Sequence, residues 1–464
     1  MAKLLDLPNE LLLDVIDDVC VEDIEAFTSC NKRIHSLSED ILQRHRAMKK
    51  KYSKVRVQSW DSKTKDVSGR VHPIVWLHNI MLDETVASYP THLYIEDWEG
   101  YDDPALWDEN EDATGISTES KESIFSKLAQ CSYIQRKEVQ RWKDVEDSSD
   151  SDYFDIALAL LMTLLPNLRS IIICCLTNYI SYTKYMLAQI AKAHQAVQGQ
   201  RHALSRLVTL VIVKNKYHDS LRTSLDFCLP FTSFPSVLSV SSNITKSRPS
   251  SHPSDLPKTF KSGITKIKFT DSDISGLGFE DLLSRIGTLQ DFEYEYDKGF
   301  HNDFEPYKIV RSLLNHAGHS LRCLHLTGDW YEYYECWVRD SDFVTLRTCV
   351  FMGSLRKSQV LKDVRVNHAM SIEIIEEVDT DKKSTKVHRL VDLLPASIEN
   401  LSLIGTRGLC PLSDLFDGVT ELKAQKFPEL ETIQSEYCDP ASRHLKQACH
   451  VVGIELVLPT DVAA

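Results

Sequence analysis

The sequence has 17 histidines and 12 cysteines, and one pair of histidines has a spacing that could support metal chemistry. His316 and His319 are three residues apart, so they could share a metal ion on one helical face, yet no cysteine or carboxylate stands at ligand spacing nearby. Gly318 lies between them and favours the end of a helix, with the histidines close to its last carbonyl groups. We therefore predict no metal site.

The sequence also lacks the patterns that catalysis and cofactor binding require. Gly276 and Gly278 do not continue into a phosphate-binding glycine loop, and we find no Walker motif, nucleophile elbow or zinc-protease motif. Cys174 and Cys175 are adjacent and cannot easily bridge each other, and nothing singles out one cysteine as a reactive thiolate. We predict a protein that is not an enzyme and needs no cofactor.

Aromatic residues suggest recognition of another protein instead. Five of them follow a predicted strand, Leu321 to Leu326, and large aromatic side chains dominate binding hot spots. These candidates for substrate binding are Trp330, Tyr331, Tyr333, Tyr334 and Trp337. Packing against the protein's own core is the alternative use for them. Arg365 and His368 are further candidates, placed on the same face as the outward positions of a strand from Leu289 to Tyr296.

Composition excludes several classes of protein. The net charge of −14 argues against a general nucleic-acid binder, and 42% apolar with 26% charged residues is ordinary for a globular protein. The longest apolar run, Ile156 to Leu165, is too short to span a membrane. Without a signal peptide or paired cysteine spacing, we expect reduced thiols and a cytoplasmic and/or nuclear location, with no nucleic acid and no membrane as partner.

A repeating order of helix, turn and strand runs from residue 71 to residue 464. The predicted strands are His92 to Ile95, Leu168 to Cys174, Leu207 to Val213, Ile264 to Phe269, Leu289 to Tyr296, Leu321 to Leu326, Leu361 to Val366 and Ile398 to Leu403. This order predicts an α/β fold, an irregular leucine-rich-repeat solenoid with a parallel concave sheet. A doubly wound α/β fold is the rival. Three loops are predicted to interrupt the array: an acidic loop over 96–122, an acidic Ser-rich loop over 144–155 and a Pro/Ser loop over 246–262.

The first 50 residues predict three short amphipathic helices. Pro8 suits the first position of a helix and Glu10 falls in its first turn, where a carboxylate faces the positive end of the helix dipole. Apolar residues then recur at helical spacing in all three helices. So small a unit buries little core of its own, so it needs a partner or the rest of the chain to cover its apolar face.

This segment resembles the F-box, on the residues Leu7-Pro8, Glu10-Leu11-Leu12, Ile16, Asp23-Ile24, Phe27, Cys30, Arg33-Ile34-His35 and Leu37. It departs from the family where Leu42-Gln43-Arg44 replaces an aromatic–arginine step. The resemblance implies a domain over 1–50, a linker over 51–70 and contact with a Skp-type adaptor through Leu7, Pro8, Glu10, Leu11, Leu12, Ile16, Ile24, Phe27, Cys30, Ile34 and Leu37.

The whole chain is similar, more loosely, to F-box proteins with irregular leucine-rich repeats. That resemblance implies the substrate receptor of a cullin–RING ubiquitin ligase of the SCF type, which binds the Skp-type adaptor through residues 1–50 and an unknown protein substrate through residues 71–464. The alternative is a non-catalytic repeat scaffold without a ubiquitin-ligase role.

Overall fold

The computed structural model describes thirteen stretches of the chain, and every structural statement below refers to them. They are residues 4–58, 71–96, 118–143, 150–174, 181–196, 202–213, 223–243, 245–247, 261–296, 305–328, 351–376, 383–405 and 410–459. The chain divides into two compact units: residues 1–193 with 199–207, and residues 194–198 with 208–464. Both units have α/β structure.

The first unit begins with four short helices where the sequence predicts three. They are α1 (Asn9–Asp17), α2 (Ile24–Ser29), α3 (Lys32–Leu37) and α4 (Glu39–Tyr52), after a single 3-10 turn at Leu4–Asp6. The predicted third helix is split at Ser38, which is buried and serves as C-cap of α3 and N-cap of α4. Pro8 is the N-cap residue of α1 rather than its first residue. Ile16, Ile24 and Ile34 form the core between these helices.

The described residues in the rest of the first unit form three parallel strands and five further helices. The strands β1 (Lys54–Gln58), β2 (His92–Glu96) and β3 (Ser170–Cys174) pair in chain order. The helices are α5 (Pro73–Leu82), α6 (Thr118–Gln130), α7 (Arg136–Lys143), α8 (Asp150–Leu164) and α9 (Ser181–Ala196), with a 3-10 helix at Glu84–Ser88. Strand β1 lies in the segment predicted as a linker, 51–70. Val55 and Val57 of this strand are completely buried, so this part of the segment belongs to the folded unit.

The second unit contains nine parallel strands that also pair in chain order. They are β4 (Thr209–Val213), β6 (Ser239–Ser242), β8 (Lys266–Ser272), β9 (Asp291–Tyr296), β10 (Cys323–Gly328), β11 (Asp363–Asn367), β14 (Asn400–Ile404), β15 (Thr432–Ser435) and β16 (Glu455–Val457). Two small pairs stand apart from these: β5 (Thr223–Ser224) with β7 (Thr245–Lys246), and β12 (Ile372–Glu376) antiparallel to β13 (Lys383–Val387). Together the two units hold twelve strands in parallel ladders.

Helical segments join the strands of the second unit. The α-helices are α10 (Leu225–Cys228), α11 (Gly276–Leu283), α12 (Pro306–Ala317), α13 (Leu390–Leu393), α14 (Leu412–Leu415), α15 (Val419–Lys426) and α16 (Ser442–Val451), with 3-10 helices at Leu229–Ser233 and His368–Ser371. Gly318 ends α12, as predicted. Gly353, with φ +81°, lies so close to Tyr307 of α12 that a β-carbon there would be 2.9 Å from the tyrosine ring.

One short pattern is repeated before and within most strands. An apolar residue precedes the strand, and two more alternate within it, as in Leu321, Leu324 and Leu326, all completely buried. The strands are in register, so Leu324 faces Phe292 on one side and Val364 on the other. The backbone carbonyl before most strands accepts two N–H groups from the next repeat; Arg322 O, for example, accepts from Lys362 N and Asp363 N at 2.8 and 3.0 Å. Neighbouring repeats therefore satisfy each other's backbone hydrogen-bonding groups.

The eight predicted strands are confirmed, and most begin about two residues later than predicted. Four strands of the parallel ladders are missed, β1, β6, β15 and β16, as are the small pairs β5–β7 and β12–β13. The predicted loops are shorter than expected where they can be described, since α6 begins at Thr118, inside 96–122, and α8 begins at Asp150, inside 144–155. Likewise Thr245–Lys246 is a strand and Ser262 bridges to Ile286, at the two ends of the predicted Pro/Ser loop.

Candidate functional site

The first candidate surface is apolar and belongs to the N-terminal segment. Leu4 and Leu5 of the 3-10 turn are 40% and 42% exposed, and Leu11 on α1 is 48% exposed. Pro8 is also exposed and Leu7 is half-buried. Leucines exposed together over eight residues leave apolar area in water, which a partner could cover. We call Leu4, Leu5, Leu7, Pro8 and Leu11 the leucine patch.

One side chain holds the leucine patch against the following helices. The guanidinium group of Arg33 on α3 donates hydrogen bonds to Leu5 O at 2.7 Å, to Leu7 O at 3.0 Å and to Asn9 Oδ1 at 2.6 Å. Because guanidinium presents several donors in a rigid plane, it can fix three acceptors at once. Arg33 itself is positioned by the cap of its helix, where Asn31 accepts a hydrogen bond from Arg33 N at 2.8 Å.

The residues predicted to contact an adaptor divide into three groups. Leu12, Ile16, Ile24 and Ile34 are buried in the helical core and present no surface to a partner. Leu7, Phe27 and Leu37 are half-buried, while Pro8, Glu10, Leu11 and Cys30 are exposed. The helical spacing of apolar residues cannot separate these groups. A short amphipathic helix has one apolar face, and the same face can pack against its own core or against a partner.

A second group of polar side-chain contacts joins the helices α2 and α4. Lys49 Nζ donates to Glu25 Oε2 at 2.8 Å, and His45 Nε2 lies 3.7 Å from Glu25 Oε1. The hydrogen bond from Lys49 lowers the pKa of Glu25, and burial lowers the pKa of His45. His45 also packs on the ring of Tyr89, with 5.5 Å between centroids, so α4 contacts the segment before β2.

The second candidate surface is the open face of the strands in the second unit. Side chains alternate, so Phe292 and Tyr294 of β9 are buried while Asp291, Glu293 and Glu295 point away from the core. Lys268 Nζ on β8 pairs with Glu293 Oε1 at 2.9 Å. Burial raises the pKa of Glu295, with further contributions from the carboxylates of Asp271 and Glu293. This face carries charges in close pairs.

The pairing continues on the neighbouring strands. His325 Nε2 on β10 lies 3.4 Å from Asp363 Oδ1 on β11. Cys323 stands between acidic neighbours, and burial, together with its hydrogen bond to Asp291, raises the pKa of its thiol to about 11. A thiol with so high a pKa is protonated near neutral pH and is a poor nucleophile. Arg365 is exposed on this face, where the sequence predicts it.

His368 is not on the open face, contrary to the prediction for substrate binding. It is 2% exposed, packs 5.6 Å from the ring of Tyr437 and lies 3.9 Å from Cys410 Sγ. Alternation explains the difference, because position 368 shares parity with the buried Val364 and Val366 rather than with Arg365. Burial lowers the pKa of His368 to about 4 and raises that of Cys410 to about 12.

The remaining predicted site residues are Trp330, Tyr331, Tyr333, Tyr334 and Trp337, which lie outside the described residues. Among the residues that the structure describes, no group of three or more His, Cys, Asp or Glu side chains could hold a metal ion. His316 and His319 do not share a site: His316 Nε2 contacts Glu280 Oε1 at 2.7 Å, and His319 Nε2 contacts Gly287 O at 3.2 Å.

Comparison with known proteins adds no family. No protein-family model matches the chain, and no curated protein matches it. In the part of the chain that can be described, no helix is both long and apolar enough to cross a lipid bilayer.

Proposed function

We propose that this chain is a substrate receptor of a cullin–RING ubiquitin ligase, with an F-box at its N-terminus. The observation that supports the proposal is the leucine patch: its exposed apolar residues, at positions 4 to 11, overlap the start of the F-box resemblance at Leu7-Pro8 and Glu10-Leu11-Leu12, and Arg33 donates hydrogen bonds to the carbonyls of Leu5 and Leu7. Exposed apolar area next to a completed core is what a stable docking interface needs. A Skp-type adaptor would cover this patch.

In this function, residues 71–464 are an irregular leucine-rich-repeat array that binds the substrate. Within each unit the strands of the parallel ladders follow chain order without reversal, which favours repeats over a doubly wound sheet, whose strand order reverses. The repeated buried apolar triplets and the shared backbone carbonyls support the same interpretation. The open strand faces are then the surfaces for a substrate.

In this proposal the chain performs no chemistry itself. Transfer of ubiquitin belongs to the other subunits, and the receptor raises the rate by holding the substrate beside them. The described thiols with resolved pKa shifts, such as those of Cys228 and Cys410 at about 12, are too weakly acidic to act as nucleophiles near neutral pH.

Charge placed in the leucine patch tests the proposal. Leu11→Asp should abolish co-purification of a Skp-type adaptor without loss of folding, because Leu11 is exposed and its replacement leaves the core intact. The matched control is Leu277→Asp on α11, where the leucine is 78% exposed in the second unit. The double change Leu7→Ala with Pro8→Ala should act as Leu11→Asp does. Adaptor binding that survives both patch variants would contradict the proposal.

A further inference from the structure

The open face of β1, β2 and β3 in the first unit has a different chemistry from that of the second unit. Here Lys54 is in register with His92, and Arg56 is in register with Tyr94. Tyr94 is in turn opposite Ile172 of β3. Because Val55 and Val57 are buried, the alternating Lys54 and Arg56 share the opposite face. We call Lys54, Arg56, His92, Tyr94 and Ile172 the basic–aromatic face.

The aromatic ring at the centre of this face is already engaged by a cation. The guanidinium carbon of Arg56 lies 5.4 Å from the centroid of the Tyr94 ring, within the range of a cation–π contact. His92 stacks beside the same ring, with 6.5 Å between centroids and an interplanar angle of 19°. The stacked guanidinium keeps its N–H groups available at its edge, and they fit the two oxygens of a carboxylate.

Within the part of the chain that the structure describes, the cations of this face have no acidic partner. Among the ion pairs of the described residues, none includes Lys54, Arg56 or the neighbouring Arg169. Lys54 and Arg169 both act on His92, whose pKa is lowered by burial and then by these two charges. Glu96 is the acidic side chain of β2, two residues beyond Tyr94, so positive charge concentrates at the start of the strands. The sequence as a whole has a net charge of −14, which makes this local excess of positive charge distinctive.

Spacing along β1 defines what such a face would bind. Lys54 and Arg56 are two residues apart on a strand, which separates their side chains by roughly 6.6 Å. An extended peptide repeats its own side chains at the same interval, so carboxylates at alternate positions would meet both cations. Nucleic acid fits less well, because its binding depends on neutralising many phosphates, and this face offers few cations.

We propose that the basic–aromatic face binds an extended acidic segment of a partner protein, with Glu or Asp at alternate positions. That this partner is the ubiquitination substrate rests on the function proposed above, whereas the binding itself does not. Arg56 would receive one carboxylate through its guanidinium edge, Lys54 would receive the next, and Tyr94 would hold Arg56 in position.

Fluorescence anisotropy with the full-length chain tests this binding. The probe is a fluorescein-labelled peptide in which glutamates alternate with serine, and the control peptide carries glutamine in place of each glutamate. We expect the glutamate peptide to bind and the glutamine peptide to fail. Lys54→Glu with Arg56→Glu should weaken binding about tenfold or more, since like charges then face each other. Raising the salt concentration should weaken binding by the wild type as well.

The matched control reverses the same number of charges elsewhere in the unit. Arg136→Glu with Lys137→Glu changes two exposed residues of α7 and should leave the peptide affinity within about twofold of the wild type, because screened charges at a distance contribute little. If the charge-reversed face fails to fold, the milder pair Lys54→Ser and Arg56→Gln should still reduce affinity. Equal loss of affinity in the α7 control and the β1 variant would overturn the proposal.

The two proposals fail in distinguishable ways. Leu11→Asp should lose the adaptor and keep the peptide, and Lys54→Glu with Arg56→Glu should lose the peptide and keep the adaptor. Binding of the glutamate peptide without adaptor binding would leave the inference standing and remove the receptor function. A phosphoserine peptide or a single-stranded DNA oligonucleotide that binds where the glutamate peptide does not would overturn the assignment to carboxylates.

Discussion

Arg33 and Asn9 are joined across 24 residues of sequence by two hydrogen bonds, from Nη2 at 2.6 Å and Nε at 3.2 Å to the same amide oxygen. The same guanidinium group donates to the carbonyls of Leu5 and Leu7, so the start of the chain is fixed to α3 rather than to α1 alone. Arg33 therefore fixes the backbone of Leu5 and Leu7, at the start of the leucine patch, to α3.

Replacing that side chain should loosen the patch without unfolding the unit. Arg33→Ala removes hydrogen bonds to three acceptors, all at exposed sites, and should lower the free energy of unfolding by about 1 kcal/mol. The amides of residues 4–9 should exchange with deuterium faster. Lys32→Ala, an exposed neighbour on the same helix, is the control. Unchanged exchange in Arg33→Ala would show that the patch is held by other contacts.

Two adjacent leucines should respond in opposite ways. Leu12 is completely buried, so Leu12→Ala should destabilise the first unit by about 2–5 kcal/mol through lost transfer energy and a cavity. Leu11 is exposed, so Leu11→Ala should change stability by less than about 0.5 kcal/mol and yet weaken adaptor binding. Chemical denaturation measures the first effect and co-purification the second. Similar unfolding curves for the two variants would contradict the assignment of Leu12 to the core.

The buried His368 should make the second unit sensitive to acid. Burial depresses its pKa from 6.5 to about 4 in the folded state, so the unfolded state binds more protons between these values. The part of the unfolding free energy that depends on this histidine is fully present above pH 6.5 and is lost as the pH falls toward about 4. Between pH 7 and pH 5 the free energy of unfolding should therefore fall by about 2 kcal/mol. Urea unfolding at several pH values measures it.

His368→Gln is the matching variant. It should lower stability at neutral pH but flatten the dependence of the unfolding free energy on pH in this window, because glutamine does not titrate. A slope as steep as that of the wild type would assign the acid sensitivity to other groups.

Asp155 should stabilise the start of α9. This buried carboxylate accepts hydrogen bonds from Tyr182 N at 2.7 Å and Thr183 N at 2.9 Å, across 27 and 28 residues of sequence. Asp155→Ala leaves both donors without their acceptor and should cost about 1–3 kcal/mol, with faster amide exchange in the first turn of α9. Asp155→Asn keeps one acceptor oxygen and should lose less. An Asp155→Ala variant as stable as the wild type would contradict the capping role.

Much of the α/β fold could be predicted because the alternation of apolar and polar residues along most strands indicates which side chains are buried. The segment from Leu321 to Leu326 alternates apolar residues in a way that indicates a strand, and β10 is found there. Strand β6, by contrast, has the sequence Ser239–Ser242, with Val240 as its one large apolar residue, and its pairing depends on neighbours distant in sequence. Tertiary pairing, not local propensity, makes this segment a strand.

The candidate surfaces were predicted less completely. The F-box resemblance marks Leu7 to Leu12 as important but does not separate the exposed Leu11 from the buried Leu12, because both fit an apolar helix face. For His368 the signal was present in the sequence: strict alternation from Val364 and Val366 places it in the core. The basic–aromatic face was missed because Arg56 and Tyr94 are far apart in sequence and meet only through strand pairing.

The most direct test of the proposed function is co-expression of the full chain with a Skp-type adaptor, followed by size-exclusion chromatography at low and high salt. We predict a stable one-to-one complex whose elution is unchanged by salt, because the contact through the leucine patch is apolar. A folded chain that elutes apart from the adaptor at both salt concentrations would contradict the receptor function.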